Sequence, residues 1–185
     1  MKARPALLKR IALGVATVLV LVAGQHAAVA QDELELKVKA AFLFNFAKFA
    51  TWPPSKVKDA DAPLHLCVQG ADDFARVLED TVRGRSVGTH AVDVLRTSRS
   101  EDLRRCHIVY FAPADQGRTA SELAAIGGES VLTVHESPEA QPQGVIRFFL
   151  SDEGRVRFEV NVAAASRAQV ALSSKLLEVS QVVSR

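Results

Sequence analysis

The order of patterns along this chain predicts an α/β fold: a single-domain sandwich, mostly parallel sheet, with flanking helices and an antiparallel C-terminal hairpin. Three observations carry that expectation. Between residues 63 and 134, short apolar runs alternate with polar or helix-patterned stretches, the order of strands joined by crossover helices. One run, His107–Ala112 (HIVYFA), is continuously apolar, as a strand buried on both faces is. Two further segments, Val145–Leu150 and Arg155–Val160, flank Ser151-Asp152-Glu153-Gly154, a four-residue hairpin loop.

The elements follow in order. Lys37–Pro54, KVKAAFLFNFAKFATWPP, holds Phe42, Phe44, Phe46, Phe49 and Trp52. Val38, Ala41, Phe42, Phe49 and Trp52 recur at helical spacing, with Lys37, Lys39, Asn45 and Lys48 as the polar side. These five apolar positions are the expected core face. Phe44 and Phe46 widen the apolar surface and are the expected dimer contact. Pro53-Pro54 ends the helix, because proline lacks the amide donor and restricts the residue before it. Ser55–Ala62 is a charged connector. Pro63–Gln69 alternates as a strand, and Gly70 closes it. Asp72 or Asp73 caps a short helix through Leu78. Gly84 and Gly88 bracket a turn, and Ala91–Leu95 is the next strand. Thr97–Arg105 is a polar loop with a short helical turn. After HIVYFA, Asp115–Ile126 is a helix stopped by Gly127-Gly128. Val131–Val134 is a strand, and Ser137–Gly144 a loop. Beyond the hairpin, Asn161 caps a helical region that breaks near Val170 and restarts at Ser173 or Ser174. Leu172, Leu176, Val179 and Val183 mark its second part as an amphipathic helix.

Length and charge bound the protein further. The 185 residues suit one domain preceded by a targeting segment. Lys2, Arg4, Lys9 and Arg10 precede an uncharged run, Ile11–Ala23, which falls short of the ~20 residues of a spanning helix. Ala28-Val29-Ala30 is a small-residue cleavage motif. Residues 1–30 therefore read as a signal peptide cleaved after Ala30, with the α/β domain at 31–185 and an exported mature chain. The residue directly after the cleavage site is Gln31 and not a cysteine, so no lipid anchor is expected. Losing the four bases of that segment takes the formal net charge from +2 to −2. A near-neutral mature chain without a basic block offers nucleic acid no electrostatic footprint.

Most catalytic constellations are absent from the sequence. There is no G-x-S-x-G, and Ser173-Ser174-Lys175 lacks the S-x-x-K spacing. Gly70-Ala71-Asp72-Asp73-Phe74 sits between strand and helix, the context of a ligand crevice. Its two acids would repel a phosphate. A phosphoryl-accepting receiver is rejected, because its acidic pair belongs at the end of the first strand beside another aspartate. No catalytic residue, metal or cofactor is assigned. Cys67 and Cys106 are the only cysteines, and an even pair in an exported chain reads as a disulfide. His65-x-Cys67 with Cys106-His107 carries the ligand types of a zinc or copper site, the less favoured reading. On the hairpin, Phe149 shares a polar face with Arg147, Arg157 and Glu159, the composition of a partner-binding patch.

Together KAAFLFNFAKFATWP (Lys39–Pro53), LCVQGADDF (Leu66–Phe74), CHIVYF (Cys106–Phe111), VLTV (Val131–Val134) and VRFEVNVAAASRAQVALSSKLLEVSQVV (Val156–Val183) resemble the YfiR-like family of small exported proteins. The resemblance spans nearly the whole chain after residue 30. It implies a periplasmic α/β regulator without enzyme activity, and a homodimer. Better-known members bind the periplasmic sensor part of an inner-membrane diguanylate cyclase and repress it, and an outer-membrane lipoprotein can sequester them. Some carry a second disulfide before the R-F-E-x-N strand, where this chain has the cysteine-free HESPEAQPQG (His135–Gly144) and Pro142-Gln143-Gly144 in place of a glycine-rich turn. The alternative reading is a sensing module with an amino acid or similar ligand in the crevice at Gly70, Asp72, Asp73 and Phe74, feeding a membrane receptor such as a sensor kinase.

Overall fold

The computed structural model describes residues 31–183, apart from 58, 60, 114–115 and 137–143. Residues 1–30, on which the signal-peptide expectation rests, lie outside the described residues. Residues 31–36 are helical, and the compact unit is Lys37–Arg185.

That unit opens with helix α1 (37–49). There follow β1 (Ala50–Thr51), β2 (Leu64–Gln69), α2 (Asp72–Val82), β3 (Ser86–Val87), β4 (His90–Arg96), a 3-10 helix (Ser100–Arg105), β5 (Ile108–Phe111) and α3 (Gln116–Ile126). The chain continues with β6 (Leu132–His135), β7 (Ile146–Leu150), β8 (Val156–Asn161), α4 (Val162–Arg167), β9 (Ala171–Leu172), α5 (Ser174–Glu178) and β10 (Gln181–Val183). Eight strands form one sheet in the order β10-β8-β7-β6-β5-β2-β4-β3. Only β7–β8 and β3–β4 are antiparallel, so the sheet is mostly parallel, as the alternating pattern predicts. β1 and β9 pair separately.

The sheet buries both faces. On one, α1 lays Phe46 against Phe148 and Phe158, with ring centroids 5.7 and 5.0 Å away. Phe42 stands 5.2 Å from Phe158. Helix α2 covers the same face through Phe74, 4.3 Å from Tyr110. On the other, the 3-10 helix and α3 close over Cys67, Val109 and Phe111 with Leu103, Leu123 and Ile126. The Cys67–Cys106 disulfide lies within this second layer, with a Cα–Cα distance of 5.9 Å.

Several elements depart from the pattern reading. The buried face of α1 is Lys39, Ala40, Leu43, Phe44, Phe46 and Ala47, while Ala41 is exposed and Val38, Phe42 and Phe49 are half-buried. Of the five expected core positions only Trp52 is fully buried, and it lies beyond the helix. Phe44 and Phe46, expected at a dimer contact, are core residues instead. Phe46 is 0% exposed, so it has no surface to offer a second protomer, and Phe44 lies under Lys48 and Arg85. The physical reason is that α1 is apolar on nearly every side. Spacing alone then leaves its orientation open, and the sheet selects the stripe that packs closest. Lys39, assigned to the polar side, is buried because its ammonium pairs with Glu136 at 2.7 Å.

Asp72 and Asp73 do not cap α2. Ala71 is the N-cap residue, and the two acids occupy the first turn, where they complement the helix dipole. The amphipathic helix expected through Val183 ends at Glu178. Its remainder forms β10, parallel to β8, because the open edge of β8 offers its amides and carbonyls to the β-branched Val182-Val183. Asn161 caps α4 as expected, and of the two serines expected to restart the helix Ser173 is the cap. The side-chain oxygens of Asn161 and Ser173 accept from Ala164 N (2.9 Å) and Leu176 N (3.4 Å).

Candidate functional site

The polar face of the hairpin is the first candidate surface. The register sets Arg147 opposite Glu159 and Phe149 opposite Arg157. Alternation then puts all four on one face. Arg147 and Glu159 form a two-pronged ion pair of 2.7 and 2.9 Å, with side chains only 12% and 6% exposed. The Arg147 guanidinium also stacks 5.3 Å from the Phe149 ring centroid. Phe149 is half-buried and Arg157 exposed. Of the four expected partner-binding residues, Phe149 and Arg157 present surface, while Arg147 and Glu159 form the charged support beneath them.

This position follows from the strand lengths. β6 pairs with β7 only at Val134 and His135. Beyond that point β7 keeps β8 as its neighbour, and Phe149 and Arg157 stand past the end of β6. His135 extends the polar row beneath. It is 1% exposed, and its Nε2 accepts from the Gly144 amide at 3.2 Å. Burial first, and the neighbouring Arg147 cation second, hold its pKa down at about 4, against an opposing pull from Glu159. Gly144 is required here, since a Cβ would come within 2.6 Å of Thr133 Oγ1. Beside it, an apolar cavity of about 370 Å³ opens between α3 and α4, lined by Leu123, Thr133, Val145 and Ala164, with Arg167 also in its wall. The cysteine-free loop that distinguishes this chain falls largely on 137–143, outside the described residues.

The crevice expected at Gly70–Phe74 is rearranged. Asp72 and Asp73 are exposed on α2, and Asp73 pairs with Arg76. Phe74 is buried against Tyr110. Gly70 alone of the four lines a small cavity at the ends of β2 and β5, with Gln69, Arg118, Thr119 and Glu122. Sequence reading missed those residues. Glu122 lies in a helix whose apolar period accounted for the segment, and nothing local marks it as buried.

The histidines beside the disulfide are packed, not arrayed for a metal. The two sulfurs bond each other. His107 Nδ1 accepts from the His65 amide at 3.0 Å, and Trp52 meets the His107 ring edge-on at 5.5 Å. Burial, reinforced by Lys56 and then by His65 and His90, lowers the His107 pKa to about 4. Among the described residues no group of three His, Cys, Asp or Glu side chains converges to hold a metal. No helix there is long and apolar enough to cross a membrane.

The architecture is therefore a disulfide-stapled α/β sandwich with an aromatic and charged hairpin face. The YfiR/HmsC-like family model matches residues 36–181, and the chain belongs to that family. No curated protein matches it.

Proposed function

We propose that this protein is a non-enzymatic periplasmic regulator that binds the periplasmic sensor part of an inner-membrane diguanylate cyclase and represses it. Cyclic-di-GMP output, and with it biofilm and motility, would then depend on its release, for which sequestration by an outer-membrane lipoprotein is one route. The observation that carries this reading is membership in the YfiR/HmsC-like family over 36–181. The hairpin supports it with a contact surface of suitable composition: an aromatic ring and an arginine held over a buried ion pair. The protein acts as a homodimer in this reading, through a surface other than Phe46.

The test is reconstitution. The purified protein should bind the periplasmic domain of a membrane diguanylate cyclase from the same organism, and deleting its gene should raise cyclic-di-GMP. Phe149→Ala and Arg157→Glu should each weaken binding about tenfold or more while leaving the fold intact. Unchanged cyclic-di-GMP together with no membrane partner would sink the proposal. A second role, as a sensor of a small ligand, is favoured by the unpaired buried oxygens in the crevice between β2 and β5.

A further inference from the structure

β2 and β5 are adjacent and parallel, and the helices that follow them lie on opposite faces of the sheet. A crevice opens at the carboxyl ends of two such strands, the place where open α/β sheets hold ligands. Here the strand ends are tied by Ala112 N donating to Gln69 O at 3.1 Å. Gly70 turns the chain away at φ +77°. α3 brings Arg118 and Glu122 over the gap, leaving a cavity of about 50 Å³.

The hydrogen bonds in this cavity do not close. Gln69 is 6% exposed and Glu122 3%. Glu122 Oε1 accepts from three donors: Gln69 Nε2 at 2.7 Å, Ser100 Oγ at 2.9 Å and Arg118 Nε at 2.9 Å. Its other oxygen, Oε2, accepts from none, and neither does Gln69 Oε1. Turning the Gln69 amide over would set its oxygen against Glu122 Oε1, so the present orientation is imposed. Two buried acceptors, on residues that line one cavity, thus lack a donor, and buried polar atoms in folded proteins are normally satisfied.

We infer that this crevice binds a small molecule through a primary ammonium group. The group must donate at least two hydrogen bonds, one to each open oxygen, and it must fit a cavity of about 50 Å³. An ammonium has three donors and no acceptor. A guanidinium is larger, and a calcium ion takes six to eight oxygens where two are open. Glu122 is already paired with Arg118 at 2.9 Å, so the site holds no surplus negative charge, which disfavours a divalent ion. A polar groove of about 410 Å³ shares Gly70 with the cavity and carries Asp72, Arg96 and Thr97, giving room for the rest of the ligand. This assignment rests on the sensing role and is independent of the repressor role.

Calorimetric titration of the purified protein tests it, with methylammonium, 1,4-diaminobutane, glycine and L-alanine as probes and tetramethylammonium, acetate and calcium as controls. At least one primary amine should bind saturably, at about 1 mM or tighter, and tetramethylammonium, which has the charge but no N–H, should not. The diamine and amino-acid arms separate a polyamine from a zwitterion. Glu122→Gln should weaken binding at least about tenfold. Gln69→Met, which removes the second acceptor, should do likewise and stands in should Glu122→Gln not fold. The assignment is overturned by no amine binding, by equal binding of tetramethylammonium, by undiminished affinity in folded variants, or by calcium binding that amines cannot displace. Saturable binding of a non-amine alone would overturn it too, while leaving the sensing role standing. The cyclic-di-GMP measurement decides the repressor role separately.

Discussion

Glu159 shows how one side chain can serve a surface without reaching it. Its carboxylate is 6% exposed and neutralises Arg147, which in turn supports the Phe149 ring. Glu159→Gln leaves a buried guanidinium without its counter-charge and should cost about 3 kcal/mol or more, read as a lowered urea midpoint. The partner contact should weaken with it, because Phe149 loses its support. The two buried histidines make a second prediction. His135 faces Arg147 and Glu159, while His107 faces Lys56, His65 and His90, and both titrate near 4 in the folded state. These values lie below the ordinary 6.5, so between the two pH values the unfolded chain binds the extra protons. Their contribution is complete above pH 6.5 and is lost as the pH falls toward about 4, with a slope of up to about 1.4 kcal/mol per pH unit for each ring. Urea midpoints measured from pH 4 to 7 should rise with pH, and His135→Gln should flatten the curve. Both histidines are visible in the sequence, but their shared depression comes from burial, which no local pattern reports.

Among the elements, α1 is the most informative. Its sequence carries so much Phe that helix formation and burial are evident, yet its orientation is not. The aromatic quartet Phe42, Phe46, Phe148 and Phe158 joins two segments a hundred residues apart. Phe46→Ala should therefore destabilise by about 3–5 kcal/mol through cavity formation, measured by denaturant unfolding. A substitution at a surface dimer contact would change oligomeric state with far less loss of stability. The hairpin, by contrast, was legible to within a residue, because alternation over two arms joined by a short loop admits one register. The last segment was not. Val179 and Val183 satisfy a helical spacing, but Val179 ends α5, and the β-branched Val182 and Val183 beside an unpaired strand edge form a ladder instead.

At the scale of the molecule, the disulfide ties the sheet to the segment between β4 and β5. Both sulfurs lie in the layer under α3, and the bridge spans a sequence separation of 39. Replacing Cys67 and Cys106 with serine should reduce stability by about 4 kcal/mol in the chain-entropy account. Dithiothreitol should reduce the bridge slowly in the native protein and quickly in urea, because each cysteine is 1% exposed. Gel-shift counting of free thiols against time checks both. The sequence by itself determined the fold class, the parallel core, the hairpin, the cysteine pair and the family. Those depend on short-range periodicity, on composition and on motif order, which a linear chain displays directly. Only the tertiary structure decided which stripe of α1 meets the sheet, which hairpin charges neutralise each other, and that Gln69 and Glu122 share a cavity. Gln69 and Glu122 come from elements 53 residues apart. Their unmatched oxygens are a property of where two backbones meet, so the chemistry of that crevice exists only once the sheet has formed.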